Sequence, residues 1–177
     1  MPARSDLFNP KERITLARLD PHFRDKFERA ARALNENLAD LENVTLRIED
    51  GFRSHEAQAQ LYAIGRKELS PGHWTRERGP DGNLLPRVTD APPGYSAHQY
   101  RRACHAVLLR QKNGRAISWL EKENPLWKLS RDLAVAEGLD SGYDFKSLFD
   151  PAHWELPGWE KIARARNFRG FGPEEWR

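Results

Sequence analysis

Ser96-Ala97-His98-Gln99-Tyr100-Arg101-Arg102-Ala103-Cys104-His105-Ala106-Val107-Leu108-Leu109 is the stretch on which the fold turns. From Ala103 the chain changes from polar to small and apolar, and a short run of that kind reads as a buried strand. Alternation along a strand sends Cys104 to the face opposite His105, so Cys104 is expected to be a small buried residue and not a nucleophile. His98 stands before this strand, at the end of a segment rich in Gly and Pro.

Upstream, residues 70–95 hold five Pro and four Gly among charged residues and read as a long loop. Loops of that length in compact domains are usually functional or mobile. Before it, Arg53-Ser54-His55-Glu56-Ala57-Gln58-Ala59-Gln60-Leu61-Tyr62 opens a helix that Gly65 stops. Val44-Thr45-Leu46-Arg47-Ile48 alternates apolar and polar side chains, which predicts a half-buried strand. Phe23, Phe27, Ala30, Ala31 and Leu34 recur at helical spacing in residues 20–40, with Asp20 as N-cap and Pro21 in the first turn. Downstream, Pro125 to Glu137 is helical, with Leu126, Leu129, Leu133 and Ala136 on one face and Gly138 just past the end. His153-Trp154-Glu155-Leu156 is a short strand closed by Pro157-Gly158, and residues 157–177 form an Arg- and Trp-rich tail. Helices and strands without regular βαβ alternation imply a single α+β domain over 1–177, with a small, mostly antiparallel sheet flanked by helices.

Composition narrows the chemistry. The 177 residues are enough for one domain, and six Trp, eight Phe and four Tyr are enough aromatic bulk for a core. No run approaches the roughly 18 apolar residues of a membrane span, so membrane insertion is not expected. The N-terminus shows no apolar signal core, so synthesis in the cytoplasm and export by another route are expected. One cysteine, Cys104, rules out an internal disulfide and a thiolate-rich metal cluster. The net charge of +3 comes from mixed signs along the chain, which argues against a nucleic-acid stripe. A monomer is favoured.

A metal site here must be built from histidine and carboxylates. Six histidines are present, and three have chemically useful neighbours: His98, His105 seven residues later, and His153 three residues after Asp150. A catalytic Zn2+ needs three protein ligands, an open position and a nearby carboxylate to take a proton. Spacing alone is weak support, because six histidines offer many triplets.

The motifs carry more. Ser96-x-His98-x-x-Arg101-x-Ala103-x-His105 resembles the Ser-x-His-x-x-Gly-x-Ala-x-Asp motif of a zinc peptidase family. That family holds D-alanyl-D-alanine carboxypeptidases of the vancomycin-resistance type and L-alanyl-D-glutamate endopeptidases of phage endolysins. Asp150-x-x-His153-Trp154-Glu155 resembles its closing motif. Gly51-Phe52-Arg53-Ser54 with Gln58, Gln60, Leu61, Tyr62 and Gly65-Arg66 resembles its upstream helix motif, and Ala136 to Gly142 resembles the Gly-Leu turn before the closing motif. The matches run in the family's order across about residues 19 to 156.

The resemblance implies a hedgehog/DD-peptidase-like zinc cleft in which His98 and His153 are metal ligands. It makes Asp150 the general base that later protonates the leaving amine. Arg53 would stabilise the oxyanion or a substrate carboxylate, and Ser96 and Gln60 are candidates for substrate hydrogen bonds. The substrate implied is the stem peptide of peptidoglycan, an anionic wall polymer that suits a mildly basic chain. The upstream motif and the lack of a signal core resemble the endolysin branch, so L-Ala-D-Glu cleavage is the first expectation. D-Ala-D-Ala carboxypeptidase activity and a non-catalytic wall-binding protein on the same fold are the rivals.

Two positions depart from the family. His105 replaces an Asp ligand, which leaves the site one unit more positive and demands a different reach from the strand. Arg101 replaces a Gly. If that Gly serves a positive φ, Arg101 is strained; if it only clears space, Arg101 projects over the cleft and can contact an acidic peptide. The 70–95 segment, with His73 and Trp74, is either a rim that selects substrate or a plain surface insertion.

Overall fold

The computed structural model describes residues 8–41, 43–113 and 115–165. Helix α1 (Pro10–Ala17) opens with a capping box in which Asn9 and Glu12 satisfy each other's backbone N–H groups. The second carboxylate oxygen of Glu12 accepts from Ile48 N at 3.0 Å, which ties α1 to strand β1 (Val44–Glu49). Helix α2 (Pro21–Asn37) is capped by Asp20, whose carboxylate accepts from His22 N and Phe23 N. Its buried stripe is the expected one: Phe23, Phe27, Ala30, Ala31 and Leu34. Helix α3 (His55–Ala63) starts two residues later than the sequence suggested, with Ser54 as its N-cap.

The expected loop 70–95 is in part ordered as strand. Strands β2 (Arg66–Ser70) and β3 (His73–Arg76) pair antiparallel, and a further bridge joins Arg78 to Leu84. Turn residues marked the segment as a loop, but they sit inside a hairpin excursion that folds back on its base. There Glu77 N donates to Gly65 O at 3.1 Å and Leu85 N to Glu77 O at 2.9 Å.

Strand β4 (Ala103–Lys112) is the centre of a five-stranded antiparallel sheet. One edge pairs with β1 along its length. The other edge pairs with β7 (His153–Glu155) near its start and with β5 (Arg115–Trp119) near its end, and β6 (Asp140–Ser141) pairs with β7. Cys104, Ala106, Leu108 and Trp154 enter one hydrophobic core with the buried face of α2 and with Trp127 of helix α4 (Leu126–Ala136). Phe27 and Trp154 meet at 5.2 Å between ring centroids. The α+β class, the single core and the antiparallel sheet are as expected. Gly138 follows α4 with φ +72°, the left-handed end anticipated for it. The tail adds a helix the sequence did not announce, α5 (Trp159–Ala165), whose Trp159 stacks on Tyr100; the rest of the tail lies outside the described residues. Among the described residues, no helix is long and apolar enough to cross a membrane.

Candidate metal centre

Strand register builds the site. His105 on β4 lies directly opposite His153 on β7. Opposed residues share a face, with Cβ atoms roughly 4.5–5.5 Å apart. Alternation then sends Cys104 and Trp154, also a pair, to the core side. His98 arrives from a 3-10 turn (Ala97–Tyr100) just before β4. The turn ends at Arg101 with φ 62° and ψ 24°, so the first alternative for Arg101 is the one realised: the backbone is left-handed there. Arg102 N donates back to Ala97 O at 3.0 Å and closes the turn.

The three imidazoles are mutual neighbours, with ring centroids 5.0, 5.1 and 5.5 Å apart. One ligand atom from each lies within 4.8 Å of the others, so the trio can hold a metal ion. Its fit is tested by what each ring already does. His98 Nδ1 is 2.7 Å from Gly51 O, while its Nε2 is buried with no hydrogen-bond partner. His153 Nε2 is 2.8 Å from Glu155 Oε2, which leaves Nδ1 for a ligand. His105 faces Asp150 Oδ2 at 3.4 Å through Nε2 and Asp50 Oδ2 at 3.8 Å through Nδ1. An orphaned ring nitrogen beside two other imidazoles, each held by an outer partner, suits a borderline divalent cation such as zinc.

The electrostatics agree. Burial pushes His98 well below its ordinary value, and His153, His105 and Arg53 push the same way, so the ring is neutral and able to donate a lone pair. Burial raises the Asp150 carboxyl, but the hydrogen bond and charge of His105, with His153 and Arg53 behind it, outweigh that and hold it below the usual carboxylate range. Burial pushes the Cys104 thiol up, and with its place in the core this fits an inert residue.

These groups line a cleft of about 470 Å³. Arg53 is buried at its edge, donating to Gln58 Oε1 at 2.7 Å and to Asp50. Gln58 in turn donates to Ala91 O at 2.7 Å, so one amide links the arginine to the far wall. Val88, Thr89, Tyr95, Phe145, Leu148 and Trp159 also line the cleft. Of the residues expected at the site, His98, His105, His153, Asp150, Arg53 and Ser96 all line the cleft. Gln60 and Arg101 do not: Gln60 is exposed on α3, and Arg101 is exposed with its guanidinium 5.2 Å over the Phe52 ring.

Sequence reasoning assigned no role to Asp50, Gln58 or Glu155, although Gln58 and Glu155 stand in the motifs quoted above. Glu155 was within reach, because it sits two residues from His153 on a strand and must share its face. Asp50 follows β1, immediately before the Gly51-Phe52-Arg53 motif, and carries a φ of 44°, which Asp tolerates better than most residues.

The fold and site together define an α+β chain with a three-histidine candidate metal centre in a cleft. No family model matches the chain. Among solved structures it is similar to the crystal structure of Serratia marcescens L-Ala D-Glu endopeptidase ChiX. The two share 16% identity with a TM-score of 0.49, over 90% of this chain and 98% of that chain. That identity is too low for residues to be carried across from ChiX.

Proposed function

We propose that the chain is a zinc-dependent hydrolase of amide bonds in the peptidoglycan stem peptide, acting as a single peptidase domain. The observation that carries this reading is the convergence of His98, His105 and His153 in one cleft with Asp150 and Arg53 beside them. The ordered motifs quoted above supply the substrate class.

His98, His105 and His153 would hold the cation. A bound zinc supplies a Lewis acid that polarises the scissile carbonyl and makes water acidic near neutral pH. Asp150 stays ionised beside His105, so it takes the proton from attacking water and returns it to the leaving amine. Arg53 is clamped by Gln58 and Asp50, and its permanent charge complements the developing oxyanion or a substrate carboxylate. Val88 to Ala91, Tyr95, Phe145 and Leu148 line the cleft in which the peptide would lie.

L-Ala-D-Glu endopeptidase cleavage is the form proposed first, on the upstream Arg53 and Gln58 motif. The test is mass analysis of purified peptidoglycan after digestion, with Asp150→Asn as control. New amino termini at D-Glu, absent with Asp150→Asn, are expected. Loss of terminal D-Ala instead would assign carboxypeptidase activity, and an unchanged digest with zinc-loaded protein would leave only a wall-binding role.

A further inference from the structure

Each imidazole of the trio has an outer partner, and the partners differ in kind. His98 has the Gly51 carbonyl at 2.7 Å and His153 the Glu155 carboxylate at 2.8 Å, while His105 stands between two carboxylates at longer range, Asp150 at 3.4 Å and Asp50 at 3.8 Å. Asp50 and Gly51 are adjacent, so a single turn at the end of β1 serves two of the three rings. The same turn reaches Arg53, whose backbone N–H donates to His98 O at 3.3 Å and whose side chain donates to Asp50. Glu49 pairs with His105 in the sheet, which fixes where the Asp50 carboxylate can lie.

Asp50 meets an electrostatic need of this site. Three imidazole ligands bring no negative charge to a divalent cation. Outer carboxylates that accept from a ligating imidazole set its tautomer and raise its basicity, and losing one typically costs roughly 10–100-fold in metal affinity.

We propose that Asp50 is a positioning residue of the metal centre. Its carboxylate stands 3.8 Å from His105 Nδ1, an ion-pair distance, and would constrain that ring and place anionic charge beside the trio from outside it. The inference rests on the trio being the metal centre proposed above. It gives Asp50 a second task, because the carboxylate that orients His105 also anchors the Arg53 guanidinium. Metal site and cationic pocket are thereby set by one side chain. The backbone constraint is compatible: φ at Asp50 is 44°, a region that Asp and Asn tolerate alike, so Asp50→Asn removes charge without new backbone strain.

The test is a double-mutant cycle on the full chain, reading zinc affinity by competition with a chromophoric chelator at fixed pH. Asp50→Asn is expected to weaken zinc roughly 10–100-fold, with circular dichroism showing that the zinc-free variant remains folded although it loses the ion pair to Arg53. In a His105→Asp background, which has no ring to orient and brings its own charge, Asp50→Asn is expected to change affinity far less. Equal losses in both backgrounds would reduce Asp50 to a remote charge and overturn the proposal, as would an Asp50→Asn protein that binds zinc like the parent. A parent chain that binds no zinc overturns the metal-centre reading itself, and this result is distinct from either of those.

Discussion

Gln58 makes two buried bonds with one amide, accepting from Arg53 and donating to Ala91 O across 33 positions of sequence. Replacing it with Leu removes both and strands a buried guanidinium N–H. The expected cost is about 1–3 kcal/mol of stability, read from the urea midpoint, with hydrolysis lowered as Arg53 loses its clamp. A Gln58→Leu protein as stable and active as the parent would contradict this account of the cleft. His98 gives a pH test. It stays neutral in the fold well below its ordinary 6.5, so under that pH the unfolded chain takes up a proton that the folded chain refuses. Stability of the zinc-free protein should therefore fall as pH drops from 6.5 toward the lowered folded value, and His98 should contribute no slope above 6.5. Thermal midpoints in chelator between pH 7.5 and 5.5 check this, and His98→Gln should flatten the slope. At this scale the sequence was most legible where a motif named the residue, as with His98, His153, Asp150 and Arg53. His105 was legible from its place at the start of the strand. Gln58 stood in the upstream motif without a role of its own, and Asp50 escaped because its approach to His105 joins segments far apart in sequence, which no local pattern encodes.

Elements were legible where a period showed. The stripe of α2, the alternation of β1 and the apolar run of β4 each declared themselves. The β2–β3 hairpin did not, because its residues are mostly exposed and an exposed ribbon needs no hydrophobic alternation. Helix α1 had a readable signal in Asn9-Pro10-Lys11-Glu12, a capping box with Pro in the first turn. Gly142 tests how tightly the site-bearing elements meet. A Cβ there would lie 2.3 Å from Asp150 O and 2.9 Å from His153 Cβ. Gly142→Ala is expected to cost about 1–3 kcal/mol, with the loop bearing the base displaced. Gly72→Ala, where nothing lies within 4 Å but φ is +78°, should cost only backbone strain of about 1 kcal/mol. Equal melting shifts for the two would contradict the close approach. The hairpin excursion carries a further prediction. Arg66 donates to Thr89 O at 2.9 Å, Arg76 donates to Leu85 O at 2.6 Å, and Gly65 packs against Pro86, so the excursion braces the Val88 to Ala91 wall. Deleting residues 72–86 should leave the main sheet folded and change which muropeptides are cut; an unchanged product profile would reduce the excursion to surface decoration.

At the scale of the whole molecule, one sheet does two jobs. Its core face, with Cys104, Leu108 and Trp154, packs on α2 and α4, and its other face at the β4–β7 junction presents His105 and His153. A one-residue slip of β7 against β4 would bury His153 and expose Trp154, so burial of the tryptophan locks the register that assembles the trio. Folding and site assembly are thus the same event, and a metal bound by the trio should stabilise the folded chain. The central claim is that His98, His105 and His153 form a metal centre, and metal content tests it most directly. Purified, zinc-equilibrated protein should carry about one zinc per chain by elemental analysis, and His98→Ala and His153→Ala should carry none while remaining folded. Parent protein free of zinc after both purification and soaking, or variants that keep the parent's stoichiometry, would contradict it.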